Sequence, residues 1–401
     1  MKIGIIRETK VPLDRRVPLT PVRCRELMQR FPDLEITVQP SPHRCFGDEE
    51  YVREGIPVIE DLSGCSVLMG VKEVKAETLL EGKTYLFFSH TAKKQPYNRE
   101  LLRAIVKKGI RLIDYEYLTR EDQVRVVAFG RWAGVVGAYN GLRALGIRSE
   151  SYELPPAFRC KDLAQLKEEL RKVDTGTVRI AVTGGGRVAG GATEILDAAG
   201  IPGVEPEEYL EKTFGHEVYT RLDPWHYTRH RDGATFDFDH FVAHPDQYLN
   251  NFSPYARRTD LYMACHFWDP RSPELLDNRD LQDPGIPIRI IADISCDVNG
   301  PIASTIRAST IEDPFYGYDP VSRKETAPFR KDAVTVMAVD NLPGELPGDA
   351  SDDFSRALRD HVIPELTGKV HTGMLERATI AADRSLTPGF AYLQDYLEGR
   401  D

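Results

Sequence analysis

The chain has 401 residues, is 41% hydrophobic and 28% charged, and carries a formal net charge of −10. That balance argues against a nucleic-acid surface, and no apolar run approaches the ~20 residues that span a bilayer. A soluble protein acting on a small molecule is expected, with any attraction for an anionic substrate supplied by particular arginines and lysines.

The length suits two domains. Met1-Lys2-Ile3-Gly4 opens directly into a strand pattern with no secretory signal. The six cysteines are scattered without CxxC pairs, which reads as reduced, cytoplasmic thiols with no metal. Strands are expected at 2–6, 35–39, 67–70, 85–89 and 111–115, with helices at 21–30 and 99–107 between them. This alternation predicts an α/β fold with an open parallel sheet. A helix rich in small residues follows at 133–145, placed to cross between domains, and another at 162–172. A strand at 178–182 then runs into Gly184-Gly185-Gly186-Arg187-Val188-Ala189-Gly190, ahead of a helix at 192–199. Further strands are expected at 217–220, 261–265, 289–294 and 333–339, giving a second doubly wound sheet. Residues 202–258 exceed what a minimal βαβ unit needs and read as an elaboration. From 350 to 397 the pattern is helical, with Ser351 as a helix cap and no sheet of its own.

The strand, glycine turn and helix form a site for a dinucleotide pyrophosphate, because glycines let backbone amides approach the phosphates at a helix N-terminus. The spacing is GxGxxxG through Gly184, Gly186 and Gly190; a tight turn without a ligand is the plain alternative. Asp223, at the end of the next strand, is the candidate for the adenosine ribose hydroxyls and favours NAD, since a carboxylate repels a 2′-phosphate. Arg221 and Arg229 keep NADP open.

Lys72 follows one strand and His90 ends another, so both reach the C-terminal sheet edge where α/β proteins bind ligands. A partly desolvated lysine and a histidine both trade protons near neutrality. On spacing alone, a solvated lysine and a loop histidine explain these two residues slightly better. Arg15 and Arg16 sit with Arg7 and Lys10 around the first strand-to-helix connection, and arginine suits a carboxylate. Near the end, Asp340 and Asn341 terminate a strand before the proline-bounded turn Leu342-Pro343-Gly344-Glu345-Leu346-Pro347. His226, His230, His240 and His244 match no common metal spacing.

The ordered motifs RETK with RRVPLTP, GVKE, FFSHTAKKQ, DYEYL, RVVAFGRWAG, the glycine turn, IADIS and VDNLPGELPGDAS resemble the lysine-forming saccharopine dehydrogenase family. That family lies within the superfamily of alanine dehydrogenase and the transhydrogenase NAD-binding subunit. The resemblance implies two Rossmann-like doubly wound domains with an interdomain cleft: residues 1–135 plus 343–401 for substrate, and 136–342 for the dinucleotide, elaborated at about 203–258. It implies an NAD-dependent oxidoreductase on a CH–NH donor, converting saccharopine to L-lysine and 2-oxoglutarate through an imine. Lys72 and His90 would be the acid–base pair. Arg16, Lys93 and Arg125 would bind substrate carboxylates, with Glu73 and Glu116 beside the lysine and histidine. Gly184, Gly186, Arg187, Val188, Asp223, Cys265, Asp340 and Leu342 would face the cofactor. Val188 stands where the family pattern has a cysteine, and Arg131-Trp132 replaces aromatic or small residues. Alanine dehydrogenase, another opine dehydrogenase and a non-catalytic NAD(H)-binding or transhydrogenase-like subunit are the alternatives. The sequence carries no signal for oligomeric state.

Overall fold

The computed structural model describes residues 1–400 and divides the chain into two compact units, Met1–Phe129 with Pro347–Asp401, and Gly130–Leu346. In the first unit, β1 (Lys2–Ile5), β2 (Glu35–Val38), β3 (Val67–Lys72), β4 (Thr84–Phe88) and β5 (Arg111–Asp114) form a parallel sheet. In the second unit, β6 (Arg179–Thr183), β7 (Val218–Leu222), β10 (Leu261–Ala264), β11 (Ile290–Asp293) and β14 (Val334–Met337) do the same. Two further strands, β8 (Thr228–His230) and β9 (Tyr248–Asn250), pair with each other inside the elaborated segment. The expected fold class, two Rossmann-like α/β domains, is what the chain adopts.

Two features were not legible. The second sheet continues past β14 with an antiparallel pair, β12 (Phe315–Asp319) and β13 (Lys324–Thr326). The tail, expected to be helical throughout, contributes β15 (Thr379–Ala382) and β16 (Ser385–Leu386), which extend the first sheet antiparallel beyond β5. The sheet orders are therefore β16-β15-β5-β4-β3-β1-β2 and β13-β12-β14-β11-β10-β6-β7. In each sheet, the first strand is flanked by that sheet's second strand on one side and its third on the other. That reversal is the topological switch point, and ligands bind at its carboxyl edge.

The strands are apolar on both faces because each sheet is covered on both sides. Met69, Leu86 and Ile113 pack with Phe354, Leu358 and Val362 on one face of the first sheet; Leu68, Tyr85, Phe87 and Leu112 pack with Ile380 and Tyr396 on the other. Ser351 lies inside the Pro347–Ala357 helix instead of capping it, and its hydroxyl accepts the Val17 N–H at 2.9 Å.

The small-residue helix runs Gly130–Ser149, longer than expected, and belongs to the second unit, where it packs on the Arg187–Ala198 helix. The packing is close enough to need glycine. A Cβ at Gly134 would overlap the Val188 carbonyl and lie 2.8 Å from the Ala192 nitrogen. The glycine-turn helix begins at Arg187, so Gly190 and Gly191 are helical and lie outside the turn itself.

Candidate active site

In the first unit the sheet order brings four strand ends side by side. The loop after β1 carries Asp14 and Arg16, β3 ends in Lys72 followed by Glu73, β4 leads to His90, and β5 leads to Glu116. Arg16 is buried, and its guanidinium meets Asp14 through Nε to Oδ1 (2.9 Å) and Nη2 to Oδ2 (2.5 Å). Its Cζ sits 4.1 Å from the centre of the Phe129 ring. Burial raises the Asp14 pKa, but the Arg16 charge and hydrogen bonds outweigh it and hold the carboxyl at about 2. The fork edge of Arg16 that would grip a substrate carboxylate is thus turned to Asp14, a partner two residues away.

The Lys72 amine forms no ion pair among the described residues. Burial lowers its pKa first, and the neighbouring Arg16 and Lys10 charges lower it further against Asp14 and Glu73. Glu73 joins the cluster: one carboxylate oxygen takes the Lys10 ammonium, and the other lies 3.3 Å from His90 Nδ1. Burial raises the Glu73 pKa, while His90 and Lys10 pull it down more strongly, to about 2. An ionised Glu73 therefore keeps a negative charge beside the His90 ring, although the oxygen nearest that ring takes no hydrogen bond. Phe88 stacks against that ring with centroids 6.5 Å apart. His90 itself has φ 53°, a left-handed backbone that several other non-glycine residues of the chain share and that histidine adopts more readily than most. Beside it, Glu116 accepts Arg125 Nη2 at 2.7 Å and lies 3.9 Å from Lys93 Nζ. Lys93 and Arg125 are both about half exposed, so this trio forms an open polar rim.

In the second unit the glycine turn follows β6. Gly184 has φ 115°, and a Cβ there would lie 2.6 Å from the Cys265 carbonyl oxygen. At Gly185 a Cβ would overlap the Asp223 carboxylate. Gly185, Gly186 and Arg187 are exposed, and no N-cap side chain covers the helix start at Gly186, so an incoming anion can reach the turn. Asp223 follows β7 directly and is held by His226, whose Nδ1 accepts the Asp223 N–H at 3.0 Å, while Arg221 lies 3.4 Å from its carboxylate. These residues fit a dinucleotide: an exposed glycine turn for pyrophosphate and a carboxylate against the turn for ribose hydroxyls. Val188 instead faces the long helix at Gly130. Cys265 is buried and shapes the turn through its carbonyl; Leu342 is buried, and Asp340 is exposed past β14.

His266 went unnoticed in the sequence. It is buried under the turn, with Nδ1 2.8 Å from the Thr183 hydroxyl, which in turn lies 2.9 Å from the Tyr262 hydroxyl. Burial lowers its pKa to about 4, so the ring is neutral, and its Nε2 has no partner. Among the other histidines, His230, His240 and His244 gather, with centroids 5.6 and 4.9 Å apart. Among the described residues no group of three or more such side chains is placed to hold a metal ion, and no helix is long and apolar enough to cross a membrane.

Residues 4–136 match the family model for the alanine dehydrogenase/PNT N-terminal domain. The chain is 29% identical to alpha-aminoadipic semialdehyde synthase of Bos taurus, over 100% of its own length and 48% of that protein. It thus spans about half the length of that relative. It is 25% identical to the saccharopine dehydrogenase [NAD(+), L-lysine-forming] of Emericella nidulans, covering 89% of this chain and 90% of that one. Its fold resembles a solved L-alanine dehydrogenase with a TM-score of 0.66 at 17% identity, over the full length of both chains.

Proposed function

We propose that the protein is an NAD-dependent dehydrogenase acting on the CH–NH group of an amino acid or opine, with saccharopine as the first candidate and L-lysine and 2-oxoglutarate as products. The observation that carries this reading is the Lys72, Glu73 and His90 cluster beside Arg16 at adjoining strand ends. The similarity to alpha-aminoadipic semialdehyde synthases and saccharopine dehydrogenases supports the choice of substrate.

The first unit would bind the amino-acid substrate and the second the dinucleotide. NAD, when bound, supplies the hydride acceptor; Gly184, Gly186 and the helix starting at Arg187 would hold its pyrophosphate, and Asp223 its ribose. Asp223 favours NAD over NADP. Lys72, whose depressed pKa leaves more of it as free amine near neutrality, takes the proton from the substrate's secondary amine as its C–H bond is oxidised to an imine. His90, beside the ionised Glu73, then takes a proton from the water that adds to the imine carbon. It returns that proton to the nitrogen, and then passes the carbinolamine hydroxyl proton to the same nitrogen as the carbonyl forms and the C–N bond breaks. Arg16 offers fixed positive charge to a substrate carboxylate, and Lys93 and Arg125 extend that charge along the rim.

The match of residues 4–136 to the alanine dehydrogenase/PNT model favours one second reading, reductive amination of pyruvate. Purified protein assayed for NADH formation with saccharopine, alanine and other opines, and for NADH oxidation with pyruvate plus ammonia, separates the two. Turnover of saccharopine above alanine supports the first reading; preference for pyruvate plus ammonia establishes the second; no turnover with any amine overturns both.

A further inference from the structure

Lys72 leaves its strand through an irregularity. β3 pairs with β4 in register from Val67 to Met69, and pairing resumes at Lys72 opposite Phe88. Three steps on β3 thus match two on β4, which is one extra residue just before the lysine, a bulge that re-aims the lysine itself. On the other side, β1 accompanies β3 only as far as Ile5 opposite Met69, with a last hydrogen bond from the Ile6 N–H to the Met69 carbonyl. Beyond that point the chain of β1 turns away.

Glu8 occupies the space it leaves. Its Oε1 accepts the Val71 N–H at 2.6 Å and its Oε2 the Lys72 N–H at 3.0 Å. Both oxygens of one carboxyl therefore bond consecutive amides of the bulged segment, replacing the missing neighbour strand. Gly70 makes the approach possible, since a Cβ there would sit 3.3 Å from Glu8 Oε1 and 3.0 Å from the Ile6 side chain. Burial drives the Glu8 pKa up to about 8 against the pull of the Val71 and Lys72 amides, with Asp14 raising it further and Arg16 lowering it. A carboxyl kept there at that cost in desolvation is tied to what it bonds.

We propose that Glu8 is a positioning residue for Lys72: by capping the two amides freed at the β3 bulge, it fixes the direction in which the lysine leaves the sheet. The inference rests on the role given to Lys72 above. Glu8 acts through backbone only, and the groups facing the Lys72 amine remain Arg16, Asp14, Lys10 and Glu73. Without the cap the bulge relaxes, water reaches the amine, and its depressed pKa returns toward the ordinary lysine value.

The test compares Glu8→Gln, which keeps one acceptor, with Glu8→Ala, which keeps none. The pH dependence of Lys72 acetylation by acetic anhydride is followed by mass spectrometry, alongside kcat and KM for the amine substrate. The expected result is a labelling midpoint that rises by about one pH unit in Glu8→Ala and less in Glu8→Gln. kcat should fall about tenfold and severalfold in the same order, a loss of transition-state positioning more than of binding. If Glu8→Ala does not fold, Glu8→Gln carries the comparison. A folded variant with an unchanged Lys72 midpoint overturns the proposal. Labelling needs no turnover, so a wild-type protein inert toward every amine would sink the proposed function while leaving Glu8 decided by the midpoint.

Discussion

The two units share one order in their five parallel strands, and each sheet ends in an antiparallel pair at the far edge, yet their switch points carry opposite chemistry. In the second unit the first strand runs into glycines, so what faces the ligand is backbone: an exposed turn at a helix start, with the Asp223 carboxylate pressed against Gly185. In the first unit the same position carries charged side chains, Asp14 with Arg16 and then Lys72, Glu73 and His90, set against Phe88 and Phe129. Topology places a site, and the residues just past each strand decide whether it grips phosphate or moves protons.

Four substitutions break or sharpen this contrast. Lys72→Met should cost the largest factor, about 10²–10⁴ in kcat as expected for a general acid–base group, with NADH binding by fluorescence unchanged. A loss of NADH binding instead would place Lys72 in the nucleotide site.

Asp14→Asn tests the buried pair. Removing one partner leaves the Arg16 charge buried and uncompensated, a loss of about 3–5 kcal/mol in urea unfolding at pH 7. Because the folded pKa of Asp14 is depressed to about 2, its contribution is present above the ordinary carboxyl range and lost as pH falls toward 2. The variant should therefore differ least from wild type in strong acid, and a constant difference across pH would refute the ion-pair account.

Glu345 gives the opposite sign in the second unit. Burial raises its pKa to about 7, against the Asn140 side-chain amide that donates to it at 2.8 Å. A raised folded pKa means that its contribution is full below about 4.5 and is lost as pH rises through 7. Glu345→Gln should flatten that fall, worth up to about 2–3 kcal/mol between pH 4.5 and 8. Unchanged pH dependence in thermal melts would exclude Glu345 as its source.

The smallest effect belongs to Gly185→Ala, whose methyl group would push against Asp223. NADH affinity should weaken about tenfold, or ~1.4 kcal/mol, with the Lys72 labelling midpoint unchanged. Equal NADH affinity would mean that the turn does not carry the dinucleotide.

Most of the framework was legible because buried parallel strands announce themselves as short apolar runs, and the residues after them, Lys72, His90 and Asp223, could be read off the run ends. Asp14 went unread beside Arg16, because the arginine reads as a grip for a substrate carboxylate and nothing in the sequence marks the aspartate as its buried partner. Strands β13 and β16 were missed because they are edge strands of three and two residues, Lys324-Glu325-Thr326 and Ser385-Leu386; β12 and β15 are buried but only five and four residues long. Glu8 and His266 left no readable signal. Their partners, Val71 and Lys72 for one and Thr183 for the other, lie more than 60 residues away in the chain, and only the folded register joins them.

The most direct test of the central claim is the initial rate of NADH formation by the purified protein with saccharopine and NAD, against alanine and NAD under the same conditions. The account predicts turnover of saccharopine that exceeds that of alanine and is lost in Lys72→Met. Turnover that survives in Lys72→Met, or none with either amine, would contradict it.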